Sequence, residues 1–251
     1  MSEGNGRVQI AYLHRHNVSH SWHESMMRLI GWDAANHGRI IDTAGPFMIS
    51  TDASGLADAR NSGCQRFLDE TDHEWLWFVD TDMGFLPDTI DRLVDAADPD
   101  ERPVVGGLCF MLREMAYDGY GGRRVMAAPA MHMPARTPEG VVGFTVRWEY
   151  PANTLVQVAG TGAACLLIHR GVLEKLRADG GDHWFSRVRY EDGVLISEDL
   201  SFCARLMQQG VPLFVHTGVK TTHHKQVWIG EEDYTVPKLV TGDDETAGGD
   251  G

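Results

Sequence analysis

Long apolar runs are missing from this 251-residue chain. The longest, Trp75–Val79 and the stretch 163–168, fall well short of the ~20 residues a membrane helix needs. The N-terminal residues carry no apolar signal core, so the expectation is a protein that stays in the cytoplasm where it is made. Paired cysteines are missing too. Cys64, Cys109, Cys165 and Cys203 are scattered without CxxC spacing, which argues for reduced core residues and against a zinc site. Positive charge is scarce: 22 Lys and Arg stand against 36 Asp and Glu, a formal net charge of −14. That balance opposes the many phosphate contacts of a non-specific nucleic-acid grip and leaves only a local patch, such as Arg113, Arg123 and Arg124. No Walker A loop occurs, and no GxGxxG follows the first apolar run, so neither a P-loop nor a typical dinucleotide site is supported. No internal repeat is visible.

What is present centres on 75–88, WLWFVDTDMGFLPD. Its aromatic and β-branched start reads as a buried strand, which need not alternate if both faces are covered. Asp80 and Asp82 sit where that strand runs out. Two hard carboxylates at the carboxyl edge of an α/β sheet are well placed for a divalent cation and the phosphates it neutralises. An Asp-x-Asp is more often a turn or a cap. Here Pro87 suits the first turn of a following helix over 87–97, which sets the pair between a strand and a helix.

Taken in order, 8–13 reads as the first strand, 21–38 as a helix, 40–42 as a short strand and 56–68 as a second helix. A buried strand with a close-approach glycine pair follows at 103–110, and 114–140 reads as irregular with short strands. Residues 145–150 and 155–159 read as a strand pair. Then come a strand at 163–169, helices at 171–178 and 200–210, the latter ending at Gly210, and a last strand at 212–215. The alternation predicts an α/β protein, an open, mostly parallel sheet with helices on both faces. With 43% hydrophobic residues, one domain is expected.

Five pieces in order carry a family resemblance over roughly 8–225. They are the opening strand, the run SGLADARN at 54–61, the run WFVDTDM at 77–83, the run GTGAACLLIHR at 160–170 with Trp184-Phe185 behind it, and SEDLSFC at 197–203 with a late His-rich loop. Together they resemble nucleotide-sugar glycosyltransferases of the GT-A fold, especially the family-2-like group and its short stand-alone bacterial and bacteriophage members. The resemblance implies a Rossmann-like sheet with a small antiparallel acceptor-side part. It implies a flexible 1–6, one domain over 7–240 with a nucleotide-sugar half (7–110) and an acceptor half (111–240), and a disordered acidic tail over 241–251. If the chain is phage-encoded, its place is the host cytoplasm.

The resemblance also implies a metal-dependent transfer from a nucleoside-diphosphate sugar, UDP favoured, to an acceptor hydroxyl with inversion. Mn²⁺ or Mg²⁺ would stabilise the departing diphosphate. Asp82 is expected as direct ligand and Asp80 at the ribose or a metal-bound water, with Thr81 between them. His223 or His224 would close the coordination sphere, His223 preferred, and Lys225 would touch phosphate. Asp199 is expected as the base, oriented by Glu198; alone, this pair would read as helix caps. Arg60 is expected to pair with Asp52 or Asp80. Tyr12, His14, Arg15 and Asp52 would meet the base and ribose. Gly160 and Gly162 would admit the sugar or the acceptor, and Trp184 would stack on a sugar ring. Two other readings remain: a non-catalytic nucleotide- or carbohydrate-binding module, and a nucleotidyltransferase, which the glycine-free 13–17 loop disfavours. The acceptor stays open among a glycan, a protein Ser or Thr, and a hydroxymethylated DNA base. The oligomeric state is not legible.

Overall fold

The computed structural model describes residues 6–13, 17–40, 55–116, 123–136, 142–189 and 195–226. In chain order these form β1 (Val8–Ala11), α1 (His20–Asn36), α2 (Leu56–Glu70), β2 (Trp75–Val79), β3 (Met83–Gly84), α3 (Thr89–Ala96) and β4 (Val104–Leu108). Next come β5 (Phe110–Ala116), β6 (Arg123–Pro129), β7 (Met131–Arg136), β8 (Val142–Val146), β9 (Leu155–Val158), β10 (Gly160–Thr161) and β11 (Cys165–His169). The order closes with α4 (Arg170–Gly180), β12 (Val188–Arg189), β13 (Leu195–Ile196), α5 (Glu198–Gln208), β14 (Leu213–Lys220) and β15 (Thr222–His223).

The main sheet has six strands in the order β1-β2-β11-β4-β14-β9. β1, β2, β4 and β14 run one way; β11 and β9 run against them. The fold is α/β, with a mostly parallel sheet between two layers of helices. The reason lies in the strand sequences. Leu76 and Phe78 of β2 join Leu166 and Ile168 of β11 on one face, packed with Cys64 and Phe67 of α2, Leu173 of α4 and Phe202 of α5. Trp75, Trp77 and Val79 join Leu167 on the other face, packed with Trp22, Met26 and Leu29 of α1 and Ile90 and Leu93 of α3. A strand covered on both sides is apolar at every position. Each such fully buried side chain contributes about 1.5–3 kcal/mol.

Local chemistry sets the ends. Ser19 caps α1 by accepting from the Trp22 amide at 3.1 Å. Gly210 takes φ +67° just past α5, the C′ position expected of it. The close-approach reading holds at Gly107, where a Cβ would lie 2.9 Å from Cys165 Sγ and 3.2 Å from Val219 O.

Several expectations are corrected. α3 starts at Thr89, so Pro87 precedes its cap, Asp88, and lies outside the helix. The run 103–110 is interrupted at Cys109, and the chain then forms a separate hairpin, β5 with β6, entering the region expected as irregular with short strands. The strands read near 145–150 and 155–159 do not pair: β8 pairs with β7, and β9 with β14. The last strand runs on to Lys220 through a register shift after His216. The short strand at 40–42 falls largely outside the described residues.

Candidate active site

The central strand delivers Asp80 to a tight turn at the sheet edge. Its amide donates to Ala164 O at 3.1 Å, and the Met83 amide returns to Asp80 O at 3.1 Å. Thr81 is spent on structure, its hydroxyl donating to Leu13 O at 3.0 Å. The extension of β14 matters next. It lets β15 pair with β3, setting His223 opposite Met83, and the His224 amide donates to Asp82 O at 2.8 Å. The His223 ring thus reaches Asp82 Oδ2 with Nε2 at 3.1 Å, while Nδ1 lies 2.6 Å from Phe110 O. Lys225 Nζ meets the same Oδ2 at 2.7 Å. Burial alone would raise the Asp82 carboxyl, but His223 and Lys225 prevail and bring it down to about 2. Burial likewise opposes charge on His223, and Asp82 overrides it, raising the imidazole.

A second set of carboxylates arrives from α5, whose cap Ser197 accepts from the Leu200 amide at 3.4 Å. Glu198 and Asp199 then occupy the first turn, where the helix dipole favours negative charge. Between the two sets stands Arg60 of α2, 1% exposed. It donates from Nη2 to Asp80 Oδ1 at 3.3 Å, and from Nη1 to Glu198 Oε1 at 3.3 Å and to Asp199 Oδ1. Its guanidinium also lies 5.6 Å from the Phe185 ring centroid. Sequence reasoning found the Asp80 partner and missed the other two, 138 and 139 residues away. Asp199 keeps 23% of its side chain exposed. Desolvation pushes its carboxyl up to about 6; Arg60 pulls it down, while Asp80 and Glu198 add to the rise. One guanidinium among three carboxylates cannot neutralise them all, so the upward direction is the physical one.

Asp80, Asp199 and His223 line a cavity of about 180 Å³ together with Thr161, Gly162 and His132. At Gly160, beside the cavity, a Cβ would lie 2.8 Å from Leu200 Cδ2 and 3.1 Å from the Phe144 ring, so any larger residue needs those side chains to move. Gly162 faces Asp199 Oδ2, 3.6 Å from where a Cβ would stand.

Other expected residues fall elsewhere. Trp184 is 0% exposed and donates Nε1–H to Leu173 O at 2.9 Å. It is a core side chain and does not stack on a sugar. His224 turns out to solvent and offers its backbone amide, so of the two histidines only His223 brings its ring to Asp82. Tyr12 packs its ring on Trp22, centroids 4.6 Å apart. His14, Arg15 and Asp52 lie outside the described residues. His132 was missed, because no motif marks it in the Met- and Pro-rich stretch that carries it.

Whether a cation fits can be judged from the donors. Among the described residues no group of three or more His, Cys, Asp or Glu is arranged to hold a metal ion. Asp82 and His223 supply two donors. The Phe110 carbonyl can only accept, so it fixes a proton on His223 Nδ1; Nε2 meets the Asp82 carboxylate as an N–H donor and can face a cation only once that proton leaves. A carbonyl-oriented histidine beside a carboxylate could supply two donors to a cation whose remaining ligands would be phosphate oxygens and water. The residues present fit such an ion.

No protein-family model matches the sequence, and no curated protein matches it. Solved structures do match. GalNAc-T7 with UDP, GalNAc and Mn²⁺ aligns with a TM-score of 0.55 at 10% identity, over 88% of this chain. The fold is GT-A. This GT-A chain spans 43% of the GalNAc-T7 chain. A197 from STIV aligns at 16% identity and a TM-score of 0.45, over 88% of this chain and 86% of that one. A glycosyltransferase involved in the glycosylation of the major capsid of PBCV-1 aligns at 11% identity and 0.31, over 69% and 68%. No described helix of the GT-A chain is long and apolar enough to cross a membrane.

Proposed function

We propose that this protein is a metal-dependent glycosyltransferase. It would move a sugar from a nucleoside-diphosphate sugar, UDP favoured, to an acceptor hydroxyl with inversion. The observation that carries the reading is Arg60 tying Asp80, at the end of β2, to Glu198 and Asp199, at the start of α5, around one cavity. The GT-A fold and the Asp82–His223 donor pair support it.

Asp82 and His223 would hold a Mn²⁺ or Mg²⁺ ion, with Asp80 beside them at the ribose or an ion-bound water. The bound ion supplies Lewis-acid stabilisation of charge on the leaving diphosphate. Lys225, already at Asp82, adds positive charge for the phosphates. Asp199 takes the proton of the attacking hydroxyl: its carboxyl near 6 is ionised at neutral pH yet basic enough to accept. Glu198, held by Arg60 and by Arg187 at 3.4 Å, fixes the Asp199 side of the cavity. With Asp199 Oδ2 over Gly162 as the base, direct attack by the acceptor hydroxyl would invert the anomeric carbon. Residues 7–110 would supply most of the donor site and 111–240 the acceptor side, with His223 and Lys225 reaching back to Asp82. The acceptor is a glycan, a protein hydroxyl or a hydroxymethylated base.

Two measurements test this. The first is a thermal-shift screen with UDP, GDP, CDP, TDP and their common sugars, with and without Mn²⁺. It should show one diphosphate stabilising the fold only when metal is present; ligand at ~100 times its Kd adds about 2.7 kcal/mol. No response to any nucleotide would defeat the reading. The second is the pH profile of turnover. Activity should rise as pH climbs through about 6, because only the ionised Asp199 accepts a proton. Asp199→Asn should lower turnover at least ~10²-fold and abolish that limb while donor binding survives. A variant that keeps the wild-type profile would remove Asp199 from the role of base.

A further inference from the structure

One exposed cation stands beside the cavity without a partner. Several arginines of this chain are used in pairs: Arg28 with Glu24, Arg39 with Asp91, Arg66 with Glu70 and Arg177 with Asp69. Arg113 of β5 is exposed and has no hydrogen bond or ion pair among the described residues. The chain has carboxylates to spare, 36 acids against 22 bases, yet none of the described ones closes on it.

The hairpin sets this residue at the cavity mouth. Phe110 and Met111 line the cavity where β5 begins. Alternation along the strand puts Arg113 on the face that Met111 shares and Leu112 on the other. Met126, its register partner on β6, is 40% exposed, so that face is open to solvent here. Glu114, the nearest acid in sequence, stands at the Val125 register, which belongs to the opposite face. The charge of Arg113 also acts on His132, another residue of the cavity wall. Burial depresses that imidazole, the Gly160 backbone opposes the fall, and Arg113 adds to it. His132 pairs with Gly160, two residues before the Gly162 that faces Asp199. The field of Arg113 therefore falls on the Asp199 side of the cavity. The other side already has its cations, His223 and Lys225 at Asp82. Arg113 is three residues past the Phe110 carbonyl that anchors His223, about 10 Å along the strand.

We propose that Arg113 binds an anionic group, a carboxylate or a phosphate, carried by the acceptor, and so selects an acidic acceptor over a neutral one. The planar guanidinium fork matches either anion. This rests on the glycosyl-transfer reading and narrows its acceptor class.

The test is a ligand-observed NMR titration of the chain loaded with Mn²⁺ and UDP. The probes are matched pairs that differ by a negative charge: methyl glucoside and methyl glucuronide, glucose and glucose 6-phosphate, and a serine peptide with Ala or Asp beside the serine. Wild type is compared with Arg113→Gln, Arg113→Lys and Arg113→Glu. Wild type should hold the acidic member of at least one pair about ten-fold more tightly than its neutral twin, a ratio that added salt shrinks. Gln should erase the ratio, Lys should restore part of it without the fork, and Glu should invert it. A wild type with no preference in any pair, including one that binds neither member, overturns the proposal. So does an Arg113→Gln variant that weakens both members equally, since that is the mark of a merely structural arginine. If Gln weakens UDP as much as the acidic probe, the arginine serves the diphosphate and the acceptor assignment falls. UDP binding in Mn²⁺ is measured before any probe is added. A chain that binds no UDP sinks the glycosyl reading and this inference with it, and that failure is seen apart from the others.

Discussion

Arg60→Met should unfold about 3–5 kcal/mol more easily than the wild type near neutral pH, the usual cost of removing one partner from a buried ionic cluster. Methionine fills much of the same space, so the loss reports charge rather than a cavity. Glu198 is 5% exposed and keeps only Arg187 as a cation. Asp80 and Asp199 lose theirs. The sign of the pH dependence separates this from a packing defect. In the wild type the Asp199 carboxyl sits at about 6, above its unfolded 3.8. The native state therefore binds more protons across that window, and stability falls as pH rises through it. Arg60 works against the rise. Without it the folded value climbs further, so the deficit should be largest at neutral pH and shrink toward pH 5. Urea unfolding at both pH values reads this directly. Matching midpoints near neutrality would show that the cluster does not hold the fold together.

Asp82→Ala should abolish metal-dependent donor turnover and leave the fold standing. Its side chain is 36% exposed, so nothing collapses when it is removed. What goes is the carboxylate oxygen that His223 and Lys225 share. His223 stays anchored through Phe110, so one donor of the pair remains, oriented but alone. One imidazole does not hold Mn²⁺ or Mg²⁺, which favour oxygen ligands. Calorimetry should show Mn²⁺-assisted UDP affinity falling with turnover, while the circular dichroism spectrum is unaltered. Near wild-type turnover in Mn²⁺ would end the metal proposal.

How far the chain could be read in advance depended on what each residue type says by itself. The run at β2 was legible to the residue, because a short aromatic and β-branched run cut off by Asp80 suits a doubly covered strand. α2 and α5 were found within two residues at either end from their apolar periodicity. Strand direction was not legible. β11 has the same apolar character as β2 and runs against it, and apolarity carries no sense of direction. The β5–β6 hairpin was missed because its pairs, Arg113 with Met126 and Leu112 with Ala127, do not alternate in polarity. At the site, Asp80, Asp82, Asp199 and His223 stood out in the sequence as candidates. Arg60 was expected beside Asp80 but not beside Glu198 and Asp199, since a buried arginine in a polar helix looks like a solvated one until the fold supplies its carboxylates.

The strand order carries a consequence for how the molecule is made. β11 enters between β2 and β4, and β14 between β4 and β9, so late strands take interior places in the sheet. The site follows the same rule: Asp82 waits for Lys225, 143 residues on, and Arg60 for Asp199. Such long-range closure is slow, because loop entropy is spent before the contacts that repay it form. A nascent chain that has not reached Glu198 already holds a cationic Arg60 and an anionic Asp80 with no completed pocket between them. On the proposed function, donor binding would therefore signal finished folding, and a pulse-labelled ribosome release experiment could use it as the clock.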